Sequence, residues 1–235
     1  MEGVGTGAGK DTDDVQPSGC LHAVFIRAPH AHARIASVDV SGALSLLGVV
    51  GVFQASDIAF ESETPRPRLC ADEVRFVGDA VAVAVAHTRE SAVDAAAAVL
   101  VDYEILPALV DTILALEPGA MLVHPDKCDN IAFEFDLGDV GAFEGADVIV
   151  RSRFVNQRLA AVPIEANAVV AEPDGEGGIR MWTSAKVPFG VRGAVADSAG
   201  CPAGGVRVTS GDLRGPFGAT HRPHPASTAR ALSPT

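Results

Sequence analysis

Residues 81–103 constrain the fold more than any other part of this chain. Residues 81–85 form an almost wholly apolar run, which is typical of a strand buried on both faces of a sheet. Residues 89–100 are rich in alanine with acidic side chains near the start, a composition that favours a helix. Residues 101–103 return to strand composition. This order predicts a compact unit in which a helix connects two strands.

The residues before this unit carry further strand patterns. Residues 21–27 have strand composition, and residues 33–40 alternate apolar and polar side chains with a period of two, as a half-buried strand does. Ser41 is a candidate N-cap for a short helix over residues 42–47, and residues 49–53 predict a third strand.

Composition divides the chain into five parts. Residues 1–19 are polar and glycine-rich and predict a loop, whereas residues 221–235 contain three prolines and no acidic residue and predict a disordered tail. Residues 113–130 predict a linker between a first folded unit, residues 20–112, and a second, residues 131–220. In the second unit we predict strands near residues 131–136, 146–157, 166–172 and 179–183, and helices near residues 139–145 and 188–198.

Charge and cysteine spacing exclude several classes of protein. The formal net charge is −12, which opposes binding to nucleic acid or to an anionic membrane surface. The four cysteines are about fifty or more residues apart, so the sequence contains no paired-cysteine zinc or iron–sulfur motif. Because no run of 18 apolar residues and no apolar signal core occurs, we expect no membrane insertion and a cytoplasmic location.

A glycine-containing turn near the end of the second unit is the clearest binding pattern. It follows the strand-like run 206–208 and spans residues 211–219. Glycine carries no side chain, so backbone N–H groups in such a turn can approach an anionic ligand closely.

Two blocks of sequence resemble one enzyme family. The first comprises residues 21–35, 74–82 and 101–107, and the second is centred on residues 182–188 and 211–219. In this order they are similar to the large subunits of molybdenum hydroxylases, the group of xanthine dehydrogenase, aldehyde oxidase and carbon monoxide dehydrogenase. The resemblance implies an α+β fold: an a/b hammerhead domain, followed by the incomplete start of a molybdopterin-binding α+β domain.

The resemblance also implies a function. Such enzymes are oxidoreductases that hydroxylate aldehydes or N-heterocycles, or oxidise carbon monoxide, with water as the oxygen source. They use a molybdenum–pyranopterin cofactor. The resemblance leaves open whether this cofactor is the cytosine dinucleotide form. The implied partners are an FAD-binding medium subunit, an iron–sulfur small subunit and a small-molecule substrate.

By resemblance, Gly215, Phe217 and Gly218 would meet the phosphate and pterin end of the cofactor. The chain departs from the family pattern beside them, with Arg214 and Pro216 where glycines are usual. Lys186 also replaces a glutamine that the family often places beside the metal's oxo ligand.

The sequence predicts no catalytic and no metal-ligating residue in this chain. The family's general base lies far toward the C-terminus, in a region without an equivalent here. We therefore expect the chain to be inactive alone, and a non-catalytic remnant or assembly module is the alternative.

Four residues allow a second interpretation. The histidines at positions 30 and 32 could present two imidazoles on one face of a strand as a metal pair, but a structural role is favoured. Glu165 is either an acid near the cofactor or the start of a strand, and Phe217 could equally be a core residue.

Overall fold

The computed structural model of the chain describes residues 9–58, 67–135, 141, 144–157, 159–160, 162–163 and 165–212. The chain divides into two compact units, residues 1–108 with 161–235 and residues 109–160. The strands and helices in chain order are β1 (His22–Arg27), β2 (Ala33–Asp39), α1 (Ser41–Leu44), β3 (Val49–Gln54), β4 (Glu73–Val74), β5 (Ala80–Ala86), α2 (Arg89–Ala98), β6 (Leu100–Ile105), β7 (Val169–Pro173), β8 (Ile179–Thr183), α3 (Pro188–Ala199) and β9 (Val206–Thr209).

Strand β5 lies at the centre of the first sheet because its side chains are apolar on both faces. It pairs antiparallel with β1 on one side and with β3 on the other. Ala84 packs with Ala95 of α2, whereas Val83 and Val85 pack with Leu69 on the opposite face. The prediction of a strand buried on both faces is confirmed.

Helix α2 forms where the alanine-rich composition predicts it. The hydroxyl of Thr88 accepts a hydrogen bond from the backbone N–H of Ser91 at 3.1 Å and caps the first turn, an interaction worth about 1 kcal/mol. The helix ends at Ala98, earlier than predicted, because Val99 has extended dihedrals (φ −75°, ψ 126°) and the next residue begins β6.

The second sheet has the strand order β4-β2-β6, and its central strand contains a bulge. Ile35 lies opposite Tyr103 and Ser37 opposite Asp102, so β2 has one residue more than β6 at this point. As a result Ile35 and Val38, three residues apart, both pack against the buried core. The strand prediction is confirmed, but the regular alternation is interrupted.

The short helix α1 differs from its prediction. It comprises Ser41–Leu44 rather than residues 42–47, and its N-cap residue is Val40. Ser41 does not cap the helix; its backbone N–H donates instead to the carboxylate of Asp39 at 2.9 Å. Leu47, predicted to be helical, is 96% exposed.

The third sheet is mixed and packs on helix α3. Strands β7 and β8 are antiparallel, β8 and β9 are parallel, and α3 connects β8 to β9. Met181 of β8 is fully buried and packs with Val191 and Val195 of the helix. Pro188 occupies the first turn of α3, as predicted, and Gly200 ends the helix in the left-handed conformation (φ 63°).

Residues 109–160 form the second unit, and its described part contains no strand. The side-chain amide of Asn130 organises it, donating to the carbonyls of Ala115 and Met121 at 3.0 and 2.9 Å. The prediction of a strand over residues 146–157 is wrong. The prediction of a strand over residues 131–136 is also wrong for its described part, residues 131–135. A strand needs a neighbour to accept its backbone hydrogen bonds, and the described residues supply none. Most of the predicted helix 139–145 lies outside the described residues.

Residues 9–108 are in contact with residues 165–212. The guanidinium of Arg68 donates a hydrogen bond to the hydroxyl of Ser198 in α3. The short 3-10 turn Thr12–Asp14 lies against β7, and Thr12 is buried. The chain before β1, predicted to be a loop, therefore contacts the third sheet.

Candidate functional site

The carboxyl edge of strands β8 and β9 brings together the two parts of the sequence that predict cofactor binding. Because β8 and β9 are parallel, with Trp182 opposite Thr209, the segments that follow them leave the sheet at the same edge. This edge of parallel strands is where open α/β sheets usually bind ligands.

A hydrogen bond connects the two segments at this edge. The hydroxyl of Ser210, after β9, donates to the backbone carbonyl of Ala185, after β8, at 2.9 Å. Gly211 follows, and a Cβ atom at this position would lie 3.2 Å from the carbonyl oxygen of Lys10. A side chain at position 211 would therefore press against the chain before β1.

The edge carries charges of both signs. Lys186 is exposed and lies two residues before the first residue of α3. The 12 residues of α3 place the partial positive charge of the helix dipole at the same end. Asp212, also exposed, contributes the opposite charge two residues after Ser210.

The predicted cofactor-binding residues Gly215, Phe217 and Gly218 lie outside the described residues, as do Arg214 and Pro216. The described chain reaches Asp212, so their role stays a prediction. Glu165 is half-buried and lies four residues before β7 begins, so it is not the start of that strand.

The two neighbouring histidines have separate structural partners. They lie in a bend before β2 rather than in a strand. The ring of His30 contacts that of Tyr103 edge-on, with the centroids 5.0 Å apart, and burial together with Cys70 raises the pKa of Tyr103. The ring of His32 lies between Glu73 and the carbonyl of Pro107. Within the described residues no group of three or more potential metal ligands occurs.

Sequence reasoning missed two contacts, one at this site and one between the end of α3 and the segment before β4. Ser210 and Ala185 are 25 residues apart, and Arg68 and Ser198 are 130 residues apart. Neither serine belongs to a recognisable motif. The parallel pairing of β8 and β9 was the available signal, since strand–helix–strand order predicts it.

Comparison with known proteins identifies both halves of the chain. Residues 6–107 match the model of the aldehyde oxidase and xanthine dehydrogenase a/b hammerhead domain. Residues 123–233 match the model of the molybdopterin cofactor-binding domain. The chain belongs to the family of molybdenum hydroxylase large subunits. It corresponds to an N-terminal part of such a subunit, and the predicted α+β fold is confirmed.

Individual relatives agree with this assignment. The carbon monoxide dehydrogenase large chain of Afipia carboxidovorans is 34% identical over 90% of this chain and 29% of its own length. The large molybdopterin subunit of nicotinate dehydrogenase from Eubacterium barkeri is 31% identical over 90% of this chain and 51% of its own length. The crystal structure of quinoline 2-oxidoreductase from Pseudomonas putida 86 superposes with a TM-score of 0.86 at 32% identity, covering 98% of this chain and 31% of that chain.

The chain thus spans between about a third and a half of the length of these relatives. No helix among the described residues is long and apolar enough to cross a membrane.

Proposed function

We propose that this chain supplies the hammerhead domain and the first part of the molybdopterin-binding domain to the large subunit of an oxidoreductase. The complete enzyme hydroxylates aldehydes or N-heterocycles, or oxidises carbon monoxide, with water as the oxygen source. The bound cofactor supplies the oxygen-transfer and electron-transfer chemistry.

One observation supports this proposal above the others: the two family matches follow one another without overlap in the order hammerhead, then molybdopterin-binding domain. We also propose the domain boundaries 20–112 and 131–220, with a linker between them.

The described residues at the carboxyl edge of β8 and β9 fit the anionic end of a molybdopterin. Lys186 and the start of α3 supply positive charge to this edge. Gly215, Phe217 and Gly218 are proposed to contact the phosphate and pterin end of the cofactor. The described carboxylate at this edge, Asp212, would have to point away from a phosphate.

We further propose that the chain works with an FAD-binding subunit and an iron–sulfur subunit in the cytoplasm. The name of the Afipia carboxidovorans relative describes a large chain, which implies smaller chains in that protein. The cofactor is a molybdenum–pyranopterin, with or without a cytosine dinucleotide.

In this proposal the chain alone is inactive, because the resemblance places the general base in the C-terminal region of the large subunit, and this chain matches an N-terminal region. The second candidate function is a non-catalytic assembly module. Lys186 favours it, since it places a positive charge where the family often has a neutral glutamine.

Molybdenum and phosphorus analysis of the purified chain tests both candidates. We expect both elements at less than one atom per chain when the expression host makes the cofactor, and neither when the host cannot. The variant Lys186→Glu should lower the molybdenum and phosphorus content, since it reverses the charge at the site. The control variant Lys127→Glu, in residues 109–160, should leave that content unchanged. Equal metal content from the two hosts would favour the assembly module. Full occupancy with aldehyde turnover would contradict inactivity.

A further inference from the structure

The hydroxyl of Ser184 is buried at the carboxyl edge of β8. Ser184 directly follows this strand and is 4% exposed. Its Oγ atom accepts a hydrogen bond from the backbone N–H of Ala168 at 2.9 Å and donates to the backbone carbonyl of Ala166 at 3.1 Å. One side chain therefore satisfies a donor and an acceptor of the segment before β7, which has no strand partner there.

Strand pairing brings that segment to the edge where the cofactor is proposed to bind. Val169, the first residue of β7, lies opposite Thr183, the last residue of the antiparallel strand β8. The chain before β7 therefore lies at the same edge as the chains that follow β8 and β9. The backbone N–H of Ser184 and the hydroxyl of Thr183 both donate to the carbonyl of Ala168, at 3.3 and 3.1 Å, and reinforce this arrangement.

Two serines connect the three segments that meet at this edge. Ser184 links the segment before β7 to the one after β8, and Ser210 links the segment after β9 to the carbonyl of Ala185. Ala185 is 6% exposed, whereas its neighbour Lys186 is exposed. The backbone that carries Lys186 is thus held by hydrogen bonds to the segments on either side of it.

The hydrogen bonds of Ser184 determine what kind of role it can have. A serine hydroxyl has one proton to donate, and the carbonyl of Ala166 at 3.1 Å is a nearer acceptor than that of Ala168 at 3.5 Å. The oxygen already accepts the N–H of Ala168, and the side chain is buried. Ser184 can therefore act on a ligand only through the backbone that it holds.

We propose that Ser184 is a positioning residue of the cofactor site. Its hydroxyl fixes the segments that carry Glu165 and Lys186 relative to each other, so that the anionic end of a molybdopterin meets Lys186 on a prearranged backbone. Prearranged groups bind more tightly, because binding no longer has to order them. This inference rests on the proposed function.

Hydrogen exchange tests the positioning step without the cofactor. The full 235-residue chain and its variant Ser184→Ala are produced in a host that cannot make the cofactor. The N–H of Ala168 loses its acceptor in the variant, so its exchange should be faster by at least about tenfold. Ser198→Ala removes a serine of similar burial, 8% against 4% exposed, near the end of α3 and should leave exchange at Ala168 unchanged. Circular dichroism checks that both variants fold.

Molybdenum content tests the consequence for binding. In a host that makes the cofactor, Ser184→Ala should lower the molybdenum content per monomeric chain about three- to tenfold relative to the parent. Ser184→Thr keeps a hydroxyl and should restore most of that content. Ser198→Ala should keep the parent's content although it removes a buried hydrogen bond. A loss of content that only followed stability would appear in Ser198→Ala as well.

The two measurements distinguish failure of this inference from failure of the proposed function. A parent chain without molybdenum in the cofactor-producing host would contradict the proposed function, and this role of Ser184 with it. A parent chain with molybdenum and an equal content in Ser184→Ala would overturn the positioning role alone. Unchanged exchange at Ala168 in Ser184→Ala would do the same, as would a Ser184→Thr variant that restores slow exchange but not the molybdenum content.

Discussion

Atom Nε2 of the His32 ring lies 2.6 Å from carboxylate oxygen Oε1 of Glu73. The other ring nitrogen, Nδ1, lies 2.5 Å from the carbonyl oxygen of Pro107. Each ring nitrogen therefore faces an oxygen that accepts hydrogen bonds, a carboxylate on one side and a backbone carbonyl on the other. The backbone carbonyl of His32 also accepts from the N–H of Leu106 at 3.0 Å. One residue therefore ties β4 and the chain after β6 to the start of β2.

We expect the substitution His32→Ala to destabilise the first unit. It removes two hydrogen bonds from a ring that is 15% exposed, one of them to a carboxylate that is 24% exposed. The free energy of unfolding should fall by about 1–3 kcal/mol, as measured by urea denaturation. Glu73→Gln, which removes the charge and keeps an acceptor, should cost less.

The control for this prediction is Arg34→Ala. Arg34 pairs with Glu104 across the same sheet, but the two side chains are 57% and 59% exposed. Exposed ion pairs contribute about 0–1 kcal/mol. An effect of His32→Ala no larger than that of Arg34→Ala would show that the ring is not a structural link.

The turn between β7 and β8 should lose stability in acid. Hydrogen bonds from the backbone N–H groups of Glu176 and Gly178 lower the pKa of Asp174 below its ordinary value of 3.8. The folded state then binds fewer protons than the unfolded state, so this contribution is present above pH 3.8 and is lost as the pH falls through the lowered pKa. Carboxyl NMR titration measures the pKa directly.

The variant Asp174→Asn provides the comparison. An amide oxygen can still accept both backbone hydrogen bonds, but it does not titrate. The stability of the variant should therefore depend less on pH below 4 than that of the parent chain, by roughly the contribution of one carboxyl group. Identical pH profiles for the two proteins would contradict the assignment.

Gly178 closes the same turn and leaves no space for a side chain. A Cβ atom there would lie 2.5 Å from the carbonyl oxygen of Gly205 and would also clash with the Asp174 carboxylate. We expect Gly178→Ala to lower the free energy of unfolding by about 1–3 kcal/mol, as overpacking does. Gly204→Ala, where nothing lies within 4 Å, should change thermal stability little. Equal melting temperatures for the two variants would refute the steric argument.

Much of the fold follows from local pattern. The apolar run of β5, the alanine-rich helix α2 and the glycine-containing turn before β8 each depend on residues within one element, so the sequence predicts them. The predicted bounds of helix α1 were wrong. The Asp39 carboxylate, and not the side chain of Ser41, accepts a hydrogen bond from a backbone N–H at the start of this helix. The bulge in β2 was missed because it depends on the register with β6.

Residues 109–160 show that a local pattern alone does not fix a strand. The strand pattern of residues 146–157 is present, but a strand also requires a neighbour, and composition says nothing about where the neighbour lies. The candidate site has the same limit. Glycine spacing points to the segment after β9, whereas the hydrogen bond from Ser210 to Ala185 depends on the pairing of β8 with β9.

The contact between Arg68 and Ser198 should be measurable as a coupling energy. Arg68 lies in the segment before β4, burial lowers its pKa, and its guanidinium donates to the hydroxyl of Ser198. That hydroxyl donates in turn to the carbonyl of Ala194 at 2.5 Å, so the contact continues into α3. A double-mutant cycle with Arg68→Ala and Ser198→Ala should give a coupling of about 0.5–1.5 kcal/mol in thermal or urea unfolding. Arg34→Ala combined with Ser198→Ala should be additive, because Arg34 pairs with Glu104 instead. Additivity in the Arg68 cycle as well would mean that this contact does not help to hold residues 165–212 on the hammerhead domain.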